Sequence, residues 1–162
     1  MKQLFGRRRD ALHPEKAARP KNRAAQVYLR GDKYFVATSS QTRDGFWMAD
    51  GSVAVIGKGD AAGLNRAVRF ALQRSKGGIQ APKDWSAWKN PVLEAAGYKR
   101  FSAFEKGALL VGIDEKADRI SFMPYENLGK EGFHGRVELA FEGPADSPDL
   151  TPSIEIAFEN CR

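Results

Sequence analysis

Apolar and aromatic residues gather at Val27–Arg30 and again at Lys33–Ser39, with Gly31-Asp32 between them. Branched and aromatic side chains flanking a glycine-containing pair predict a β-hairpin, because its turn needs backbone angles that glycine adopts without steric cost. The polar stretch Ser39-Ser40-Gln41-Thr42-Arg43-Asp44-Gly45 follows, and then two short runs, Phe46–Ala49 and Ser52–Ile56, set around an Asp50-Gly51 turn. From Asp60 the period changes. Leu64, Ala67, Val68, Ala71 and Leu72 fall on one face of a helix reaching about Ser75, with Asp60 as its cap and Lys76-Gly77-Gly78 as its stop.

Residues 79–106 read as a connector with two short helical pieces, Asn90–Ala96 and Ser102–Lys106, punctuated by Pro82, Pro91 and Gly97. A further hairpin is predicted from Ala108–Ile113 and Arg119–Pro124, turning through Asp114-Glu115-Lys116-Ala117-Asp118. A strand at Val137–Phe141 and a helix near Leu150–Asn160 complete the pattern, with Leu150, Ile154, Ala157, Phe158 and Cys161 sharing a face. The two halves look alike. Phe35 through Trp47 aligns without a gap on Phe122 through His134, 87 residues later, and Leu64, Val68, Ala71 and Leu72 match Leu150, Ile154, Ala157 and Phe158 at a spacing of 86. The expected fold is therefore α+β: an antiparallel sheet of about six strands packed with two main helices, arranged as two pseudo-repeated halves of hairpin, loop, strand and helix.

At 162 residues, 42% hydrophobic and 28% charged, the chain suits one globular domain. No apolar run approaches the roughly 20 residues that span a bilayer. The basic start, MKQLFGRRRD, lacks the apolar stretch of a secretory signal, so a cytoplasmic location is expected. Cys161, the single cysteine, excludes an intrachain disulfide. The net charge of +6 is concentrated at one end: residues 1–30 carry nine Lys or Arg against Asp10 and Glu15, and the remainder holds 17 basic and 18 acidic residues. The organisation read from this is a basic arm over residues 1–24 and a nearly neutral α+β domain over 25–162.

Catalysis needs a nucleophile, acid, base or metal in a defined constellation, and the sequence offers little to build one. His13 and His134 are the only histidines, and Cys161 lies on an apolar helix face with no base beside it. One Cys and two His cannot form a zinc site of the usual spacing. The carboxylate pairs Asp114/Glu115 and Asp146/Asp149 sit where turns and helix starts ordinarily place acids. Gly57-Lys58-Gly59-Asp60-Ala61-Ala62-Gly63 mimics a dinucleotide loop, but its third glycine is one residue late and Asp60 stands where a phosphate should sit. No enzyme, cofactor or metal is expected.

Binding is better represented. Trp85 and Trp88 lie three apart in a Lys- and Pro-rich connector, the setting of interface anchors, although any one Trp more often packs over a core. The polar loop around Arg43 and Asp44 is equally open to partner contacts or to tying its own backbone. Arg7, Arg8 and Arg9 can neutralise a few phosphates, but no nucleic-acid recognition module follows them.

Tyr34–Trp47 (YFVATSSQTRDGFW), Asp60–Gly78 (DAAGLNRAVRFALQRSKGG), Pro91–Val111 and Pro124–Phe133 resemble the immunity proteins of contact-dependent growth inhibition (CDI). The resemblance covers roughly residues 33–162 and leaves the arm unmatched. It implies a cytoplasmic, non-enzymatic inhibitor that binds the C-terminal toxin domain of its cognate effector one to one. The toxin, usually a nuclease, would be silenced by occlusion of its active site or substrate surface. The basic balance argues against mimicry of a nucleic acid and for a toxin with an acidic patch. The residues expected to touch it are Arg7, Arg8, Arg9, Arg43, Asp44, Trp85 and Trp88. The alternative is a nucleic-acid-associated accessory protein that works through the arm; no membrane partner is expected.

Overall fold

The computed structural model describes residues 22–162. β1 (Asn22–Arg30) and β2 (Lys33–Thr42) form the first hairpin, turning at Gly31 with a φ of 63°. Residues 22–24, assigned to the arm from sequence, belong to β1. From Tyr34 to Ser40 β2 is buried on both faces, which hides the simple alternation of a one-sided strand.

β3 (Trp47–Ala49) and β4 (Ala54–Gly57) do not pair with each other around Asp50-Gly51. Both lie end to end along β2, β3 against Ser39–Gln41 and β4 against Lys33–Val36. A ten-residue β2 offers enough edge for both, whereas strands of three and four residues would gain little from a hairpin of their own.

The first helix is as expected. α1 (Ala61–Arg74) is capped by Asp60, whose Oδ1 accepts from the Gly63 amide at 2.8 Å, and β5 (Gly77–Ile79) then runs parallel to the end of β2. In the connector, α2 (Pro91–Ala96) is capped by Asn90 and ended by Gly97, and α3 (Phe101–Glu105) follows.

β6 (Leu109–Lys116) and β7 (Arg119–Asn127) make the second hairpin with a turn of only Ala117-Asp118, Ala117 having a φ of 54°. Asp114 and Glu115 are therefore strand residues and not part of the turn. The strand expected at Val137–Phe141 is displaced: a 3-10 turn occupies Val137–Leu139, between β8 (Phe133–Gly135) and β9 (Phe141–Pro144), which both pair along β7. Val137 projects into solvent with no strand beside it, so its β-branched chemistry goes unused. α4 (Thr151–Glu159) closes the fold.

Together the strands form one sheet in the order β3-β2-β1-β6-β7-β8, with β4 extending the β3 edge and β9 the β8 edge. The halves are related by a pseudo-two-fold passing between β1 and β6. Shifting the first half by 86 residues reproduces the pairing of the second: Tyr28 opposite Phe35 becomes Asp114 opposite Ser121, and Ser40 opposite Met48 becomes Glu126 opposite His134. The spacing of 87 that aligns Phe35 with Phe122 is thus one residue out. Those two rings point to opposite faces, Phe35 into one core and Phe122 into the other, as a one-residue slip in a strand requires.

The larger core holds Val27, Tyr34, Val36, Val111, Ile113, Ile120 and Phe122 under α1 and α4. The smaller core, on the other sheet face, seats Tyr28, Phe35, Ala37 and Leu110 beneath Val92 of α2 and Phe104 of α3. Phe104 meets Tyr28 and Phe35 edge-on at 5.4 and 5.8 Å, geometry that aromatic quadrupoles favour.

Candidate protein-binding surface

The loop between β2 and β3 is pinned by Thr42. Its Oγ1 accepts from the Phe46 amide at 3.0 Å, its own amide donates to the Phe46 carbonyl at 2.7 Å, and Gly45 supplies the left-handed corner with a φ of 89°. The clamp turns Phe46 outward, 65% exposed. Ser39, Ser40 and Thr42 are buried, and Ser40 Oγ both donates to Asp50 Oδ2 at 2.9 Å and accepts from the Lys76 amide at 3.1 Å. The polar loop therefore divides: its serines and threonine hold the fold, and Arg43 and Asp44 face solvent. Arg43 leans over β5, its Nε donating to the Gly78 carbonyl at 3.3 Å and its amide to Ile79 at 3.0 Å.

Ile79 joins this loop to the tryptophans. Trp88 lines a cleft with Met48, Ala49, Ile79, Pro82 and Pro91, between the connector and β3. Trp85 packs edge-on to Trp88 at 5.7 Å and remains 53% exposed. Asp84 fixes the turn that carries both, accepting from Ser86 Oγ at 2.6 Å and from the Ser86 amide at 2.8 Å. Those two bonds hold its carboxyl below the usual carboxylate range. Arg43 and Trp88, separated by some forty residues, thus both come to Ile79 of β5, Arg43 through its amide and Trp88 across the cleft, while Asp44 and Trp85 are exposed on the same two segments. Phe46 and Trp47 are exposed on the same loop as Arg43 and Asp44; Phe46 is not among the anchors expected from the sequence, where its signal is an aromatic directly after glycine in a polar loop. Arg7, Arg8 and Arg9 lie outside the described residues.

On the smaller-core face the connector packs over Tyr28, Phe35 and Ala37, and its Phe101 reaches Phe133 at 6.3 Å on the β7–β8 side. There the Tyr125 ring lies across Gly112, where a Cβ would come 3.0 Å from the ring, and Tyr28 Oη donates to Gln26 Oε1 at 3.3 Å. Burial pushes both tyrosine hydroxyls up, assisted at Tyr125 by the Asp114 carboxylate. Asp114 stands open to solvent at one side, yet the surrounding sheet raises its carboxyl above the ordinary range. No ion pair among the described residues includes it.

Other titratable groups are occupied structurally. Cys161 is buried, its thiol donating toward the Leu110 carbonyl at 3.2 Å and raised by burial. Asp149 Oδ1 accepts from the Thr151 amide at 2.9 Å at the start of α4, and Asp60 fills the site a phosphate would need at α1. His134 is exposed on β8. Among the described residues no three His, Cys, Asp or Glu side chains come together as a metal site, and no helix is long and apolar enough to cross a membrane.

These features define an α+β domain, a curled antiparallel sheet helix-covered on both faces, with an aromatic end that no other described segment conceals. No family profile and no curated protein matches the sequence. Among solved structures the fold is shared with a chain of the CdiA-CT/CdiI toxin and immunity complex from Yersinia pseudotuberculosis, at a TM-score of 0.69 and 20% identity over 88% of this chain and 99% of that one. A protein of unknown function from Neisseria meningitidis is similar at a TM-score of 0.69 and 16% identity, over 89% of this chain and 98% of that one.

Proposed function

We propose that the protein is a CDI immunity protein that binds the C-terminal toxin domain of its cognate effector and silences it by covering its active site or substrate surface. The observation that carries this reading is the fold shared over nearly the whole chain with the Yersinia toxin and immunity complex, together with the resemblance of residues 33–162 to immunity proteins. The reading places the protein in the cytoplasm, makes it an inhibitor without turnover, and makes its target a nuclease. The toxin docks on the end of the sheet where Phe46, Trp47, Trp85 and Trp88 present apolar rings beside Arg43 and Asp44. Aromatic anchors ringed by polar groups are what concentrated binding energy requires. Arg7, Arg8 and Arg9 steer an acidic toxin patch into place.

The test is titration of the purified toxin domain, taken from the effector encoded beside this gene, into the full-length protein by calorimetry. A one-to-one complex is expected, and Trp85→Ala should weaken it about thirtyfold or more, the effect of a central aromatic anchor, with the thermal midpoint nearly unchanged. Absence of binding to that toxin rejects the function. Binding that ignores Trp85→Ala, Phe46→Ala and Arg43→Glu alike keeps the function and rejects this surface.

A further inference from the structure

The two large helices, side by side on one sheet face, carry opposite charge. On α1 the ionisable residues are Arg66, Arg69 and Arg74, with no acid between Ala61 and Arg74; on α4 they are Glu155 and Glu159, with no base between Thr151 and Glu159. The 86-residue relation makes the contrast positional. Arg69 corresponds to Glu155, Gln73 to Glu159, and Phe70 to Ile156. Phe70 and Ile156 are both turned to solvent, 59% and 50% exposed, at equivalent points about the pseudo-two-fold. Arg74 lies over the Phe70 ring at 5.4 Å, and Arg66 is exposed one turn before it. Each helix thus shows an apolar centre with flanking charge of a single sign.

The charges form no ion pair among the described residues, although Arg74 Nη1 donates to Ser52 Oγ at 3.0 Å. Arg69 donates to the carbonyls of Ala145 and Ser147, but neither Arg66, Glu155 nor Glu159 belongs to an ion pair among the described residues. Lys58 and Arg162 share a cleft with Glu155 and Glu159 without coming within ion-pair distance.

From this geometry we infer that the helical face is the contact between two copies of this chain, α1 of each crossing α4 of the other. A true two-fold axis lying in the plane of the helices and perpendicular to the line from Phe70 to Ile156 does two things at once. It brings Phe70 of one copy over Ile156 of the second, and it sets Arg66 and Arg74 against Glu155 and Glu159. The contact is isologous, since each copy gives and receives the same pair of surfaces. A partner of one charge would meet repulsion on one of the two helices; a second copy meets attraction on both. The inference is independent of toxin binding, which uses the opposite side of the β2 edge and the connector.

The experiment is sedimentation equilibrium on the full-length protein at roughly 100 μM, in low and in high salt. A dimer that weakens with salt is expected. Arg66→Glu alone, and Glu155→Arg with Glu159→Arg, should each weaken it about tenfold or more through like-charge contacts. Combining these three changes with Arg74→Glu should restore it, because the complementarity is then inverted but intact. Circular dichroism confirms that each variant is folded. A monomeric wild type, a dimer indifferent to the single-sided reversals, or a combined variant that stays monomeric overturns the inference.

Discussion

Ser75 offers a direct measure of how tightly α1 is tied to the sheet. Its buried Oγ donates to the Ser39 carbonyl at 2.6 Å and accepts from the Ala24 amide at 3.0 Å, so one hydroxyl joins the end of α1 to β2 and β1. Ser75→Ala removes the partner of two backbone groups that water cannot reach. Each such group costs about 1–3 kcal/mol when left unsatisfied, and some relaxation is expected, so the loss should be about 2–4 kcal/mol, a large share of a typical domain stability of about 5–15 kcal/mol. The pseudo-two-fold supplies an internal control. Cys161 is the 86-residue counterpart of Ser75, and Leu110, toward which its thiol donates, is the counterpart of Ala24. A thiol is a weak donor and acceptor, so Cys161→Ala forfeits chiefly the packing of one sulfur, about 1 kcal/mol. Ser75→Cys, which imports the second half's solution into the first, should fall between wild type and Ser75→Ala. Urea unfolding followed by tryptophan fluorescence, with linear extrapolation to water, ranks the three. A Ser75→Ala loss equal to or below that of Cys161→Ala would refute the argument.

Two further perturbations separate backbone from electrostatic causes. Ala117 holds a left-handed conformation that costs an L-residue about 1–2 kcal/mol and that asparagine tolerates better, so Ala117→Asn should raise stability by about 0.5–1 kcal/mol in the same assay; a loss would mean that the turn is held by something other than its dihedral preference. Asp114 titrates higher in the folded chain than in the unfolded one, so folding favours its proton. The resulting penalty is absent below the unfolded value of about 4 and present once pH passes the folded one. Asp114→Asn should therefore raise the urea midpoint at about pH 7 and leave it unchanged at about pH 3, and equal effects at both would refute the shift.

The parts of this fold that were legible in the sequence are those whose physics is local. Gly31 between two runs of branched and aromatic residues gave a turn; Asp60 before the stripe Leu64, Val68, Ala71 and Leu72 gave a capped helix. What was not legible depends on competition between distant segments. Whether β3 pairs with β4 or with β2 is decided by the free length of β2, which no local window contains. Val137 is a good strand residue by type and was lost to a 3-10 turn because the edge of β7 was taken on either side of it. At the surface, the sequence named Arg43, Asp44, Trp85 and Trp88 separately. That Arg43 and Trp88 both reach Ile79 depends on Arg43 bonding to β5 and on the connector folding back toward Met48, arrangements made across some forty residues of chain. Asp114 was assigned to a turn, so its place on the open sheet face was missed with it.

The division of labour between the halves follows from where they differ. Positions related by 86 residues that face the larger core keep their chemistry: Leu64 and Leu150, Val68 and Ile154, Ala71 and Ala157. Several positions that face outward do not, although Phe70 and Ile156 remain apolar. Arg69 becomes Glu155, Phe46 becomes Gly132, and Trp47 becomes Phe133, which is drawn into the smaller core beside Tyr28 at 5.9 Å. The second half closes its equivalent loop with a 3-10 turn over Gly129–Glu131 and the bond from the Leu128 amide to the Gly132 carbonyl, leaving no ring where Phe46 projects. An interior held to one pattern on both sides of the axis fixes the sheet and the two helices. The exterior is then free to differ between the halves, and the proposed docking of one toxin in one orientation requires that the loop carrying Phe46 have no equal in the second half.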